Sequence, residues 1–316
     1  MEKKLMLIIN PRSGKTKKKK IFSSIEQTIR DGGWNTDTFY TEYRGHAAEL
    51  ASHGPEYNRV VCVGGDGTLN EVINGLMTVD TRPEIGYVPA GSTNDFAVGI
   101  GLPRSIGKST RLASGEYISP IDVGAFTDDN GVKRYFSYVA SFGMFTRVSY
   151  STDQKFKNMF GHMAYIFEGI RSIADLSNYK PFRLRIETDD SIIEQDYIFG
   201  AVTNSTSLGG LVKLDRDNVH VSDGLFEMIL IRNPKSFIAL TDTVTQLLNH
   251  KYRPDRIIFS HTDHVKLISE APLDWTLDGE YAGSTCRAEI DVITNALNFV
   301  RREEVRKKPF FRKKTP

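Results

Sequence analysis

Val60-Val61-Cys62-Val63-Gly64-Gly65-Asp66-Gly67-Thr68 is the stretch whose reading decides the fold. Three valines around a cysteine make a strand of the kind covered on both faces. The glycines that follow leave backbone N–H groups open to a ligand without Cβ obstruction, positive φ included. A helix is predicted at once, because Leu69, Ile73, Leu76 and Met77 recur at helical spacing. Thr68 and Glu71 supply a Thr-x-x-Glu capping box at its start. Strand, glycine turn and helix start make an anion site, since unpaired amides and the helix dipole point to the same place. Asp66 in the middle is repelled by phosphate unless a divalent cation lies between them, so the turn points to a metal–nucleotide complex. The same glycines also suit a tight strand–helix turn with no ligand. Asn70 stands where a dinucleotide fingerprint needs its third glycine, and no Gly-x-x-x-x-Gly-Lys-Ser/Thr phosphate loop is present.

With 316 residues, two domains are expected. No apolar run reaches the roughly 20 residues of a membrane span. Leu5–Ile9, behind a basic start, is too short for a signal peptide and breaks at Asn10-Pro11. Cys62 and Cys286 lie far apart and suggest neither disulfide nor zinc. The expectation is a soluble, reduced, cytoplasmic protein. Its net charge of +2 is uneven. Lys15, Lys17, Lys18, Lys19 and Lys20 carry +5 and residues 301–314 carry +6, which leaves −9 on the remainder. The asymmetry suggests a basic face for an anionic partner, phosphate-bearing lipid or nucleic acid. The lysines stand at a predicted helix start, where cations oppose the dipole, and a bound anion would offset the conflict.

The first ~120 residues alternate strand and helix at the short spacing of a doubly wound α/β domain. Strands are predicted at Lys4–Ile9, Thr36–Thr41, Arg59–Val63 and Ile85–Pro89; helices at Ile21–Asp31, Gly45–His53, Leu69–Met77 and after Asn94. Beyond Ile118 the texture is that of a mostly antiparallel β-sandwich, with strands such as Arg134–Ser141 and Glu194–Thr203. Helices are predicted there at Phe156–Leu176 and Phe237–Asn249.

Two further turns end strands at the carboxyl edge of the first sheet, where open α/β folds bind ligands. One is Asn10-Pro11-Arg12-Ser13-Gly14; the other is Gly91-Ser92-Thr93-Asn94-Asp95-Phe96. Ser92 and Thr93 can donate to phosphate, and Asn94 and Asp95 can hold Mg²⁺ or its waters, while Asn94-Asp95 also reads as a helix N-cap.

Gly64-Gly65-Asp66-Gly67-Thr68-Leu69-Asn70-Glu71 resembles the nucleotide motif of the diacylglycerol kinase catalytic-domain family, whose core is shared with NAD kinases. Asn10–Gly14 and Gly91–Ala97 resemble that family's other two turns, Thr41 its nucleotide-side threonine, and Asp122-Val123-Gly124 its junction motif. Val98 departs from the Arg or Lys common there. The resemblance implies an α/β ATP-binding domain over residues 1–122, a β-rich lipid domain over 123–293, and a return of about 294–316 to the first. It implies ATP on Gly64–Asn70 and Asn10–Gly14, with Asp66, Asp95 and Asp122 ordering Mg²⁺. Leu277-Asp278-Gly279-Glu280 resembles the family's Asp-Gly-Glu, which makes Glu280 the general base. Ser222-Asp223-Gly224-Leu225 resembles a structural Mg²⁺ turn, with Asp223 as side-chain ligand and the carbonyls of His220 and Leu225 completing it.

The implied reaction is transfer of the ATP γ-phosphate to a lipid hydroxyl, diacylglycerol first, at an anionic membrane surface on the inner, cytoplasmic face. An NAD kinase-like acceptor or a non-catalytic membrane-binding protein are the alternatives. The pair His261 and His264 lacks a supporting ligand set, no nucleic-acid module is visible, and a homodimer is left open.

Overall fold

A computed structural model describes residues 3–14, 19–143, 180–189, 191–208, 212–214 and 219–301. The first half runs β1 (Lys4–Ile9), α1 (Lys19–Asp31), β2 (Asn35–Tyr40), α2 (His46–Ala51), β3 (Arg59–Gly64), α3 (Asp66–Leu76), β4 (Glu84–Pro89), α4 (Asp95–Gly99) and α5 (Ile106–Ala113). The four strands are parallel in the order β2-β1-β3-β4. Alternation along them divides the core between two faces. Leu5, Leu7, Ile9, Val61 and Val63 meet Ile25 and Ile29 of α1 and Ala113 of α5. Met6, Ile8, Val60 and Cys62 instead meet Ala47 and Ala51 of α2 and Leu69, Val72 and Ile73 of α3. This is the doubly wound arrangement, and it leaves the carboxyl ends of the strands as the open edge.

The second half comprises β5 (Ile118–Thr127), β6 (Lys133–Phe136), β7 (Val139–Gly143), β8 (Phe182–Glu187), β9 (Ile192–Thr203), the short pair β10 (Ser207–Leu208) and β11 (Val212–Lys213), β12 (Phe226–Arg232), α6 (Phe237–Asn249), β13 (Ile257–Thr262), β14 (His264–Leu277) and β15 (Glu280–Val300). These strands pair antiparallel around a core of Phe126, Phe136, Phe142, Phe226 and Trp275. β15 leaves its hairpin with β14, runs along β5, and lies parallel to β4 where Phe299 faces Ile85. The two halves therefore share one continuous sheet. Residue 122 falls inside β5, and residue 294 falls in the register shift of β15 between Ile293 and Leu297.

Three local expectations are corrected. Arg134–Ser141 is not one strand: β6 ends at Phe136 and β7 begins at Val139, because the intervening amides turn to Asp278. The capping box is absent. α3 begins at Asp66 with Gly65 as N-cap, Glu71 accepts from the Ala47 amide at 3.2 Å, and Thr68 is engaged by Asn10. Nor do Gly64, Gly65 and Gly67 adopt positive φ; close approach is what requires them. The helix expected at 156–176, most of the lysine run and nearly all of the basic tail lie outside the described residues. Among the described residues no helix is long and apolar enough to cross a membrane.

Candidate active site

The three sheet-edge turns meet. Asn10 Nδ2 donates to Thr68 Oγ1 at 2.9 Å, and Asn10 Oδ1 accepts from the Arg12 amide at 2.9 Å, which closes the first turn against the second. A Cβ built on Gly65 would lie 3.3 Å from Gly91 Cα, and one on Gly91 would lie 2.6 Å from Gly65 Cα. Second and third turns thus touch through bare backbone, which no larger residue permits. Ser92 completes the contact from the third turn to the first, its Oγ 3.7 Å from where a Gly14 Cβ would stand. Asn94 is spent on the turn itself: its amide accepts from Gly91 N and donates to Gly91 O, both at 2.9 Å, with φ at +54°. It gives α4 no side-chain cap.

Asp66 faces the start of α4. Its oxygens accept from the amides of Asp95 at 3.1 Å and Phe96 at 3.3 Å. Burial, then the negative charge of Asp95, push its carboxyl up to about 7 despite those amides. Two acids on touching turns resist joint ionisation.

The Asp278–Glu280 turn between β14 and β15 comes over this edge from the other half. Asp278, buried and at φ +49°, anchors it. Its carboxylate accepts from the Ser137 amide at 2.7 Å, the Tyr138 amide at 2.9 Å, the Val139 amide at 3.1 Å and Ser137 Oγ at 2.9 Å. Asn70 Nδ2, on α3, adds a fifth bond at 2.9 Å. Tethered in this way, Glu280 stands above the glycine turn, with Oε1 only 3.0 Å from where a Gly67 Cβ would be. Its other oxygen accepts from Arg44 at 3.1 Å.

A cavity of about 740 Å³ opens between the first turn, the glycine turn and the Glu280 hairpin; Gly14, Asp66, Ser92, Asn94 and Asp95 are not among the residues that line it. Of the expected residues, Asn10, Arg12, Ser13, Thr41, Gly65, Gly67, Thr68, Asn70 and Glu280 line it. Leu69 is core, and Gly64 ends the buried strand, where a Cβ would strike Thr68. Pro11 lies in the first turn and is not among the lining residues. Tyr43, Arg44, Asn74, Arg134 and Tyr135 also line the cavity and carry no motif of their own. Arg134 donates to the Ala282 carbonyl and holds the far wall.

Asp122 stands elsewhere. Fully buried, it accepts from the amides of Gly224 and Asn295, both at 2.7 Å, and so joins the Asp223 turn to the register shift of β15. It is a junction anchor, and its carboxyl is raised by burial. Asp223 lies exposed in a turn where Gly224 takes φ +80°, and its Oδ1 accepts from the Leu225 amide at 3.1 Å. His220 is exposed beside it. The other candidate histidines part: His261 faces Glu227 at 3.7 Å, while His264 bonds Asp291 at 2.7 Å, with Glu289 close by. For Asp223 the expected result is a rise in wild-type melting temperature on adding Mg²⁺ without nucleotide, reversed by EDTA and lost in Asp223→Ala. Saturation at a hundred times Kd corresponds to about 2.7 kcal/mol. A calorimetric scan that does not respond to either reagent removes the structural-metal role.

The profile described as the diacylglycerol kinase catalytic domain matches residues 4–126. That of the YegS C-terminal NAD kinase beta sandwich-like domain matches residues 138–301. A diacylglycerol kinase of Bacillus subtilis (strain 168) is 32% identical over 284 residues, covering 89% of this chain and 91% of that protein. One from Staphylococcus aureus (strain MRSA252) is 30% identical over 289 residues, covering 90% of this chain and 88% of its own. A crystal structure of a diacylglycerol kinase from Bacillus anthracis strain Sterne superposes with TM-score 0.73 at 20% identity, covering 96% of this chain and 98% of that one; it shows the fold alone. The two profiles and the relatives at 30% identity or more over most of the chain agree: the chain belongs to the diacylglycerol kinase catalytic-domain family.

Proposed function

We propose that the protein is an ATP-dependent lipid kinase that phosphorylates a primary lipid hydroxyl, diacylglycerol first among acceptors. The observation that carries this reading is the placement of Glu280 over Gly67. A carboxylate brought by one half of the molecule stands beside the phosphate turn built by the other, and both line one cavity. Amides at the start of α3 have no intrahelical acceptor and are available to nucleotide phosphates. Asn10 and Thr68, bonded to each other, hold the two phosphate-side turns in register. Asp66 and Asp95 form an oxygen donor pair suited to a hard cation, since each is held beside the other at a cost that a divalent ion would remove. Mg²⁺ bound there would neutralise charge on the phosphates. Glu280 accepts the proton of the acceptor hydroxyl as its oxygen attacks the γ-phosphorus. The bond to the bridging oxygen breaks with its electron pair, and ADP leaves.

The lipid acceptor implies work at an anionic membrane on its cytoplasmic side. The test is phosphoryl transfer from labelled ATP to a panel of diacylglycerol, monoacylglycerol, sphingoid base, phosphatidylglycerol and NAD. Label is expected in a lipid. Glu280→Gln is expected to lower kcat by about 10²–10⁴-fold with the fold intact. Label in NAD alone, or a Glu280→Gln enzyme as fast as wild type, overturns the reading.

A further inference from the structure

We propose that Arg44 is the residue that reads the terminal phosphate of ATP, and that it releases Glu280 when it does so. This inference rests on the kinase reading of the cavity. Arg44 lies on the connection between β2 and α2, and its guanidinium crosses the cavity mouth to Glu280 Oε2 at 3.1 Å. The backbone beneath it is braced. His46 Nδ1 accepts from the Glu42 amide at 3.1 Å, its ring stacks on Tyr43 with centroids 4.6 Å apart, and Gly45 turns the chain at φ +91°. Motion is therefore left to the side chain.

Among the described residues, three arginines line the cavity: Arg12, Arg44 and Arg134. Arg134 is committed to the wall through the Ala282 carbonyl and Asp128. Arg44 is the one whose partner is the carboxylate assigned as base. The pair is exposed on both sides, 76% for Arg44 and 49% for Glu280, and such pairs contribute little and exchange readily. A phosphate that accepts two parallel N–H bonds from guanidinium is the stronger partner. The γ-phosphate of ATP must come beside Glu280 at the glycine turn for transfer to occur, and there it meets Arg44. Exchange has two effects in one movement: positive charge arrives where the transition state spreads negative charge, and Glu280 is freed toward the acceptor hydroxyl. ADP lacks the phosphate that makes this exchange. Arg44 would thus make both nucleotide selectivity and base release depend on the triphosphate. It gives up no proton; the hydroxyl proton still passes to Glu280 as the new oxygen–phosphorus bond forms and the bond to ADP breaks.

The test compares wild type, Arg44→Ala and Arg44→Lys by calorimetric binding of ADP and of a non-hydrolysable ATP analogue with Mg²⁺, by steady-state kinetics, and by melting. Arg44→Ala is expected to melt as wild type and bind ADP unchanged. Its preference for the triphosphate analogue should fall about tenfold and its kcat about 10–100-fold, less than for a buried trans-acting arginine. Arg44→Lys keeps the charge without the fork and is expected in between. An unchanged triphosphate preference overturns the proposal. If kcat still falls in that case, Arg44 acts only as a support for Glu280; if kcat is also unchanged, the contact is a surface ion pair. The binding readout does not depend on the acceptor. Loss of triphosphate preference in Arg44→Ala together with no transfer to any lipid would sustain this inference and overturn the lipid-kinase reading instead.

Discussion

Asp66→Asn is expected to reduce kcat by about 10²–10³-fold and, in the metal-free protein, to raise the melting temperature above pH 7. The two effects share one cause. Asp66 is partly buried beside Asp95, and its carboxyl is pushed up to about 7 by burial first and that neighbour second. A folded-state value above the unfolded one means the folded protein holds the proton more tightly. The charged form then opposes folding: the penalty is absent below about pH 4, grows as pH rises and is complete above about 7. Its upper limit is about 4 kcal/mol, and the partial exposure of the site reduces it. Asparagine still accepts from an α4 amide and carries no charge, so it escapes the penalty while losing the ligand for the cation. Melting curves from pH 5 to 8 should separate, the variant gaining on wild type as pH rises. Mg²⁺ with ATP should then stabilise wild type and leave the variant almost unmoved. Parallel curves, or near-normal turnover in the variant, would take Asp66 out of the site.

Asp278→Ala has the largest expected effect on stability. The wild-type carboxylate satisfies three consecutive backbone amides, a serine hydroxyl and Asn70, all from chain 139 or more residues away. Alanine leaves three buried N–H groups without an acceptor, each costing about 1–3 kcal/mol. It must also take φ +49°, which alanine tolerates less well than aspartate. Local relaxation recovers part of this, so a loss of about 3–5 kcal/mol is expected in urea titration. Activity should fall even where the variant stays folded, because the same carboxylate fixes the hairpin that carries Glu280. Asp278→Asn tolerates positive φ, keeps one acceptor and should be milder on both counts. A loss below about 1 kcal/mol for the alanine variant would mean that the hairpin is held by something else.

Much of the architecture was legible because its determinants are local. Leu5–Ile9 and Val60–Val63 are apolar at every position, a pattern that suits a short strand covered on both faces. Their two side-chain sets do meet different helices. Each turn carries its own glycines and polar residues at a strand end, and parallel topology sends all strand ends of one sense to one edge. Resemblance then paired the turns with the Asp-Gly-Glu hairpin.

Other features could not be read along the chain. The Thr68–Glu71 spacing is that of a capping box, yet both side chains have better partners on Asn10 and Ala47. Asp122 has the residue type of a ligand, and tertiary contacts assign it to a junction. Arg44 and Glu280 are 236 residues apart, and Asp278 and Ser137 are 141 apart. Period, propensity and capping rules reach about one helical turn, so strands, helices and the ligand edge follow from neighbours in sequence. Which carboxylate is buried, and which stands above the glycine turn paired with an arginine, depends on desolvation and on donors from distant segments. Those conditions exist only once the two halves have folded onto a common sheet.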